Sequence, residues 1–396
     1  MHLSAIFVAV GWSIQLATSS AVPTNRSHAL NLIFSKLTEY YHSSPNVTEG
    51  IFDQSISPWW ESGSIFEASD LGPNSTYMDY AKYTGSRTYR KLVGEALVLN
   101  SYGEAHDFFG TNHEYVSIVV GRWNDDVEWY AQAVVAGAEL YGSKSYMPGL
   151  KGNGTWISLA QRTIDEVYDY WTPECGGGIY WSTDPAQYAT YKSGITQLEF
   201  ISLATRTYLL TKNATLLHIT EQLFTWIVDS GMVDLASGTV YDGVDTVGCT
   251  VSKAQWSYSY GHLVGGLSYL YQATDNASYL SYASKIATTG INTFAHTGVA
   301  EELCEATGTC NQDQQGFKAI FLRQLAYLYL TTHDKQLKFN IANVLQKSAE
   351  AAVATCDSSW KCTGDWTNGS TQVYPAFRST HLVAAALVAL EGIKNR

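Results

Sequence analysis

The sequence predicts an all-α protein, an (α/α)6 barrel of six helical hairpins with short β-hairpins in its rim loops. Three observations lead there. Turn-like phrases recur after helix-patterned apolar stretches, their spacing is nearly constant, and strand patterns are scarce.

The phrases are Tyr83-Thr84-Gly85-Ser86, Leu210-Thr211-Lys212-Asn213, Ala273-Thr274-Asp275-Asn276 and Thr331-Thr332-His333-Asp334. Thr211, Thr274 and Thr332 follow one another at intervals of about 60 residues, and Thr84 precedes Thr211 by about two intervals. Tyr141-Gly142-Ser143 stands where the intervening turn belongs. A period of that size holds two helices of ordinary length, which is a helical hairpin. Six such hairpins fit the chain and can close into a double ring. Its inner helices must be apolar and rich in small residues, as Ala131 to Ala138 and Leu263 to Tyr271 are. Gly178 to Ser182 and Thr239 to Gly243 read as short hairpins in loops. No Pro- or Ser-rich linker interrupts the pattern, so residues 22–396 form one domain.

Composition narrows the function. With 36 Asp and Glu against 24 Lys and Arg, the net charge of -12 leaves no basic surface for nucleic acid. Charged residues are only 15% of the chain, enough apolar character for a large core. The 12 Trp and 27 Tyr can belong to that core or form platforms for flat-faced ligands such as sugars, and composition leaves both readings open.

Residues 1–21 read as a secretory signal, with an apolar run from Leu3 to Val10 and small residues Ser19 and Ala21 before the cleavage point. Its first residues lack Lys and Arg. Sequons at Asn25, Asn46, Asn74, Asn153, Asn213, Asn276 and Asn368 mark N-glycosylation sites consistent with secretion. The 6 cysteines fit an oxidising compartment. Spacing favours Cys304 with Cys310 and Cys356 with Cys362, leaving Cys175 with Cys249, although other connectivities are open. No later stretch is long enough to span a bilayer, and the run Leu382 to Leu390 is too short for a GPI signal. The expected product is a soluble extracellular or cell-wall monomer.

In a ring of hairpins, chemistry belongs in the loops that enter the inner helices. Trp123-Asn124-Asp125-Asp126 occupies such a place, just before the helical run Val127 to Tyr141. Asn and Asp there also make ordinary helix caps. Two adjacent carboxylates in an apolar setting can instead split roles, one holding a proton and the other staying ionised. That division serves glycoside cleavage through an oxocarbenium-like transition state, with Trp123 and Trp129 supplying apolar surroundings. Aromatic residues with polar partners recur in Trp59-Trp60-Glu61, Tyr180-Trp181, Tyr241-Asp242 and Trp256-Ser257-Tyr258. The 10 histidines are scattered with no His-x-x-x-His or Cys-x-x-Cys, so no metal and no cofactor is expected. His262, in an apolar run, reads as a core or rim residue. No Gly-x-Ser-x-Gly elbow supports a serine hydrolase.

These phrases resemble glycoside hydrolase family 76, the α-1,6-mannanases, and especially its fungal cell-wall branch. The similarity runs from about Ser57 to about Thr371. It includes Trp59-Trp60-Glu61-Ser62-Gly63, Asn124-Asp125-Asp126, Cys175-Gly176-Gly177-Gly178, Tyr191-Lys192, Val240-Tyr241-Asp242-Gly243 and Gln255-Trp256-Ser257-Tyr258. Cys304-Glu305, Asn311-Gln312-Asp313-Gln314 and Phe317-Lys318-Ala319 complete it. The resemblance implies an (α/α)6 barrel and retaining hydrolysis of α-1,6-mannosidic bonds, with Asp125 as nucleophile and Asp126 as general acid/base. It implies a mannose-containing glycan held by Trp59, Trp60, Glu61, Trp123, Asn124, Trp181, Tyr191, Lys192, Tyr241, Asp242, Trp256, Tyr258 and Asp313. The chain departs from the family at Val127-Glu128, Thr196-Gln197 and Ser259, positions expected to line the cleft, and carries an apparent insertion from Asp70 to Ser75.

The sequence therefore predicts a secreted endo-α-1,6-mannosidase acting on mannan or GPI-linked mannose glycans. Two alternatives use the same cleft: a wall transglycosylase joining mannoprotein glycan to glucan, and a non-catalytic mannan-binding protein.

Overall fold

The computed structural model describes residues 26–67, 76–101, 107–109, 123–150, 154–184, 190–367 and 372–394. The expected signal, the insertion from Asp70 to Ser75, and the sequons at Asn25, Asn74, Asn153 and Asn368 lie outside them.

Helices alternate between an outer and an inner ring. The outer ring contains α1 (Arg26–His42), α4 (Arg90–Leu99), α6 (Trp156–Tyr168), α8 (Ala214–Asp229), α10 (Ala277–Phe294) and α12 (Lys335–Ala354). The inner ring contains α5 (Asn124–Tyr141), α7 (Gly194–Thr211), α9 (Ser257–Thr274), α11 (Phe317–Thr331) and α13 (Ala376–Gly392). Its sixth position is shared by two short helices, α2 (Trp59–Phe66) and α3 (Tyr77–Thr84). The inner helices pack in sequence, α5 on α7, α7 on α9, α9 on α11 and α11 on α13. The ring closes through α3, which touches both α13 and α5, and α2, which packs on α5. This is an (α/α)6 barrel.

Burial explains the two rings. α5, α7, α9, α11 and α13 are buried around nearly their whole circumference, whereas α6, α8, α10 and α12 bury one stripe and expose the other. Small residues let the layers approach: at Gly137, an added Cβ would stand 2.2 Å from the indole of Trp156 on α6.

The recurring threonine has a physical role. Thr84, Thr211 and Thr274 each end an inner helix and donate to a carbonyl four residues back. Each hydroxyl also accepts the N–H two residues ahead, at 3.2, 3.3 and 3.2 Å, turning the chain toward the outer helix. Thr331 and Thr332 divide the same two tasks. The next residues, Asn213, Asn276 and Asp334, cap α8, α10 and α12 by accepting the N–H of Thr215, Ser278, and both Gln336 and Leu337.

All these turns lie at one rim, so the inner helices begin at the other. There, β1 (Tyr191–Ser193), β4 (Gly243–Asp245) and β5 (Thr250–Ser252) form an antiparallel sheet, with Ser193 opposite Gly243. β2 (Val233–Asp234) pairs with β3 (Thr239–Val240) in a separate hairpin. The expected hairpin from Gly178 to Ser182 makes only isolated bridges, Ile179 with Trp171 and Ser182 with Trp123. The structure pairs Cys175 with Cys249, Cys304 with Cys310, and Cys356 with Cys362.

Candidate active site

The starts of the inner helices surround a cleft of about 650 Å³, within the size range of ligand sites. The starts of α2, α5, α7, α9 and α11 bring side chains: Trp59 and Trp60 from α2, Asp125 and Asp126 from α5, Ser193 before α7, Trp256 and Tyr258 around α9, and Phe317 from α11. The positive ends of these helix dipoles therefore converge on one place, favouring negative charge there.

Trp123 enters α5 in an extended conformation, fixed by its bridge to Ser182. Asn124 N–H donates to Trp181 O at 2.8 Å, and Trp181 N–H to Tyr191 O at 3.0 Å. Trp123 and Trp181 thereby stack with ring centroids 4.2 Å apart. Asp125 and Asp126 occupy the first turn of α5, 9% and 7% exposed, so the cleft reaches both. Asp126 Oδ2 lies 3.5 Å from Trp123 N, an outer capping distance. Burial pushes the Asp125 carboxyl up to about 7, despite its backbone N–H, Trp181 and Thr196, all of which favour the anion; nearby Asp313 raises it further. Thr196 Oγ1 is 3.4 Å from Asp125 Oδ1.

The opposite wall is built on two carboxylates held by aromatics. Asp242 accepts from Trp256 Nε1 at 2.9 Å and from the Tyr191 hydroxyl. Asp313 accepts from Trp60 Nε1 at 2.8 Å, and burial raises its carboxyl above the usual range. Tyr258 stacks on Phe317 at 3.6 Å, with the rings 9° from parallel. A small apolar cluster of Trp60, Trp129, Ile195, Phe317 and Ile320 supports this floor. The result is a polar-edged aromatic trough with an acid pair at its base, suited to a sugar chain.

Most of the predicted residues meet here: Trp59, Trp60, Trp123, Asp125, Asp126, Trp181, Tyr191, Asp242, Trp256, Tyr258 and Asp313 line the cleft. Glu61, Asn124, Lys192 and Tyr241 do not, and each has another task. Glu61 is buried against Arg378 and His381. Asn124 donates its side-chain amide to Tyr180 O at 2.7 Å. Lys192 turns away from the cleft and donates to the carbonyls of Thr172, Glu174 and Gly177, gathering the glycine loop around its ammonium. That loop packs closely, since a Cβ at Gly178 would stand 2.7 Å from Trp226. The Tyr241 ring lies 3.9 Å from Lys253 Nζ, outside the trough.

The family departures also sit behind the surface rather than on it. Val127 and Ser259 are buried, and Gln197 bonds Ile179 N–H, Ile179 O and Ser193 O, bracing β1 from below. Conversely, Gln54, Asn311, Gln312, Gln314 and Phe317 line the cleft without having been singled out for binding. Phe317 was findable, because it opens an inner helix as Trp59 does. Among the described residues no His, Cys, Asp and Glu group has metal-binding geometry.

An (α/α)6 ring with an acidic pair in an aromatic trough defines a carbohydrate-active enzyme. The chain belongs to glycosyl hydrolase family 76, whose sequence profile matches residues 26–395, and it is a glycoside hydrolase. It is 29% identical over 346 residues to mannan endo-1,6-alpha-mannosidase DFG5 of Saccharomyces cerevisiae, covering 84% of this chain and 70% of that protein. The mannan endo-1,6-alpha-mannosidase DCW1 of Candida albicans is 26% identical, over 86% of this chain and 74% of its own. The crystal structure of Dfg5 from Chaetomium thermophilum in complex with glucosamine matches with a TM-score of 0.78 at 24% identity, covering 93% of this chain and 90% of that one. An inactive variant of the α-1,6-mannanase GH76A of Salegentibacter sp. HEL1_6, with two neighbouring aspartates changed to asparagine, binds α-1,6-mannotriose. It matches with a TM-score of 0.72 at 18% identity, over 93% and 99% of the two chains. No helix among the described residues is long and apolar enough to cross a membrane.

Proposed function

We propose that this protein is a secreted endo-α-1,6-mannosidase that cleaves mannan or GPI-linked mannose glycans with retention. The observation that carries the reading is the placement of Asp125 and Asp126, side by side in the first turn of α5, at the base of the aromatic trough. Asp125 is the nucleophile. Its contacts with Thr196, Trp181 and its own backbone N–H stabilise an anion, although burial opposes ionisation. Asp126 protonates the leaving oxygen, then deprotonates the water that releases mannose from the glycosyl–enzyme. Trp and Tyr faces hold the sugars, and Asp242 and Asp313 accept their hydroxyls. The mannosidase relatives and the inactive double-aspartate variant bound to mannotriose support the bond and the pair.

The test compares wild type with Asp125→Asn and Asp126→Asn on linear α-1,6-mannan. Each substitution is expected to lower kcat by about 10²–10⁴-fold. Equal turnover by all three proteins would remove the assignment. Peptide mapping after trapping the glycosyl–enzyme should find the sugar on Asp125; a label on Asp126 would exchange the two roles. Products formed with and without an acceptor glycan separate hydrolysis from transfer.

A further inference from the structure

Beneath Asp125 the barrel holds a second layer of titratable groups that the proposed reaction does not use. Glu128 lies one turn below Asp125 on α5, and Glu199 one turn below Thr196 on α7. Both are wholly buried. None of their four carboxyl oxygens has a hydrogen-bond partner among the described residues, and neither ring nitrogen of His262 has one. His262 Nε2 stands 3.9 Å from Glu199 Oε1, beyond hydrogen-bond range, with its ring edge-on to Trp129.

A buried carboxylate without a partner is so costly that the group keeps its proton, and neighbouring carboxyls cannot both ionise. Burial, and then the charge of Asp125, raises Glu128 well above the ordinary carboxyl range; burial, and then Glu128 and Asp125, does the same for Glu199. Passing the Glu199 proton to His262 gives no relief. Burial and the positive charges of Arg323 on α11 and Arg206 on α7 hold that imidazole down at about 3. The other titratable groups facing the pair are Asp126 above and Glu67 just past α2, each of which opposes a further anion when ionised, and burial raises Glu67 itself to about 8.

Asp125 differs from the layer below it in one respect: it has its backbone N–H, Trp181 and Thr196 to stabilise its anion. We infer that Glu128 and Glu199 are positioning residues, a pair of neutral carboxylic acids that keeps the space beneath Asp125 uncharged so that Asp125 is the group that ionises. This rests on the reading of Asp125 as nucleophile. The coupling is reciprocal, so removing the Asp125 charge must ease ionisation of the pair.

Infrared spectra of the intact, substrate-free protein test this. At about pH 6, wild type should show carboxylic-acid C=O absorption that Glu128→Gln and Glu199→Gln each remove in part. In Asp125→Asn the alkaline midpoint for loss of that absorption should fall by about one unit or more. A Gln substitution that leaves the acid absorption undiminished, or a midpoint that Asp125→Asn leaves unmoved, overturns the inference. The Asp125→Asn arm keeps the pair intact, so it decides even where a Gln variant fails to fold. On α-1,6-mannan, the acid limb of kcat/KM should stay in place in Glu128→Gln, because one neutral group replaces another. A fall of about one unit or more would show that the pair had been anionic. Absence of turnover by wild type would sink the mannosidase reading while leaving the spectra to decide this one.

Discussion

Arg378 on α13 clasps Glu61 on α2 across 317 residues of sequence, with Nε 3.1 Å from Oε1 and Nη2 donating to Oε2, while Nη1 donates to Gln315 Oε1. Both side chains are buried, so this ion pair joins the last inner helix to the first where the ring closes. Burial alone would raise the Glu61 carboxyl, but Arg378 and His381 outweigh it and hold it down at about 2. Arg378→Met should destabilise the fold by about 3–5 kcal/mol, because it leaves a buried charge without its partner. Glu61→Gln combined with Arg378→Met should recover part of that loss. Denaturant unfolding of the two singles and the double checks it; additive losses would show that the clasp is not a coupled pair.

Thr196 should influence the reaction through Asp125. Its hydroxyl, 3.4 Å from Oδ1, favours the carboxylate. Thr196→Val keeps the shape and removes the donor, so the Asp125 carboxyl rises and the acid limb of kcat/KM moves to higher pH, by up to about one unit at this long distance. A limb that moves to lower pH would mean that Thr196 instead stabilises the protonated form.

Phe317 and Tyr258 present one stacked platform, 3.6 Å between centroids, beside the acid pair. Phe317→Ala removes the support of Tyr258 and opens the floor. KM for α-1,6-mannan oligosaccharides should rise by about tenfold, consistent with the loss of an aromatic contact of about 0.5–1.5 kcal/mol, while kcat falls less. A large fall in kcat with unchanged KM would place the platform in the transition state instead.

These residues also show what the sequence could reveal. The hairpin period was legible because α7, α9 and α11 end on the same chemistry, threonine hydroxyls bonding backward and forward, followed by an Asn or Asp cap. The place of the acid pair before a helix also suits ordinary caps, and only the resemblance to family 76 singled the pair out. The barrel interior was not legible. Arg206, Arg323, Glu128 and Glu199 are fully or almost fully buried on helices enclosed on all sides, where no polar stripe distinguishes lumen from surface. Glu61 and Lys192 misled for a related reason. Each neighbours a cleft aromatic in sequence, yet Glu61 points behind α2 toward Arg378 and Lys192 into the glycine loop. The division of the first inner helix into α2 and α3 had only the insertion after Trp-Trp-Glu as a sign.

Stability should peak in mildly acid solution. Glu302 is raised to about 8 by burial and by Glu305, and Glu128 and Glu199 are raised as well. The folded protein therefore keeps protons that the unfolded chain releases above its ordinary value of 4.5. Stability from Glu302 is full below that value and is lost as pH rises toward 8, and Glu128 and Glu199 act in the same direction. Glu61 acts in the opposite sense: its contribution is present above 4.5 and is lost as pH falls toward 2. Thermal melts at about pH 3, 5 and 8 should give the highest Tm at the middle value. A Tm that climbs steadily from pH 5 to 8 would contradict the burial of these acids in neutral form.

The caps of α8 and α10 coincide with two sequons, and the two uses of each asparagine can be separated. Asn213 and Asn276 are exposed at the rim opposite the cleft, each accepting a backbone N–H at 3.1 Å through Oδ1. A glycan would attach through Nδ2, so capping and glycosylation employ different atoms and can coexist. In protein made without glycosylation, Asn276→Ala should cost about 1 kcal/mol through loss of the cap, whereas Asn276→Asp keeps an oxygen acceptor and the favourable charge at the helix N-terminus. Equal stability of the two variants would show that Oδ1 contributes nothing to α10. In protein made by a glycosylating host, both substitutions should remove one glycan from the intact mass, as Ser278→Ala should while leaving the cap in place. Retention of that glycan in Ser278→Ala would show that Asn276 was not its attachment point.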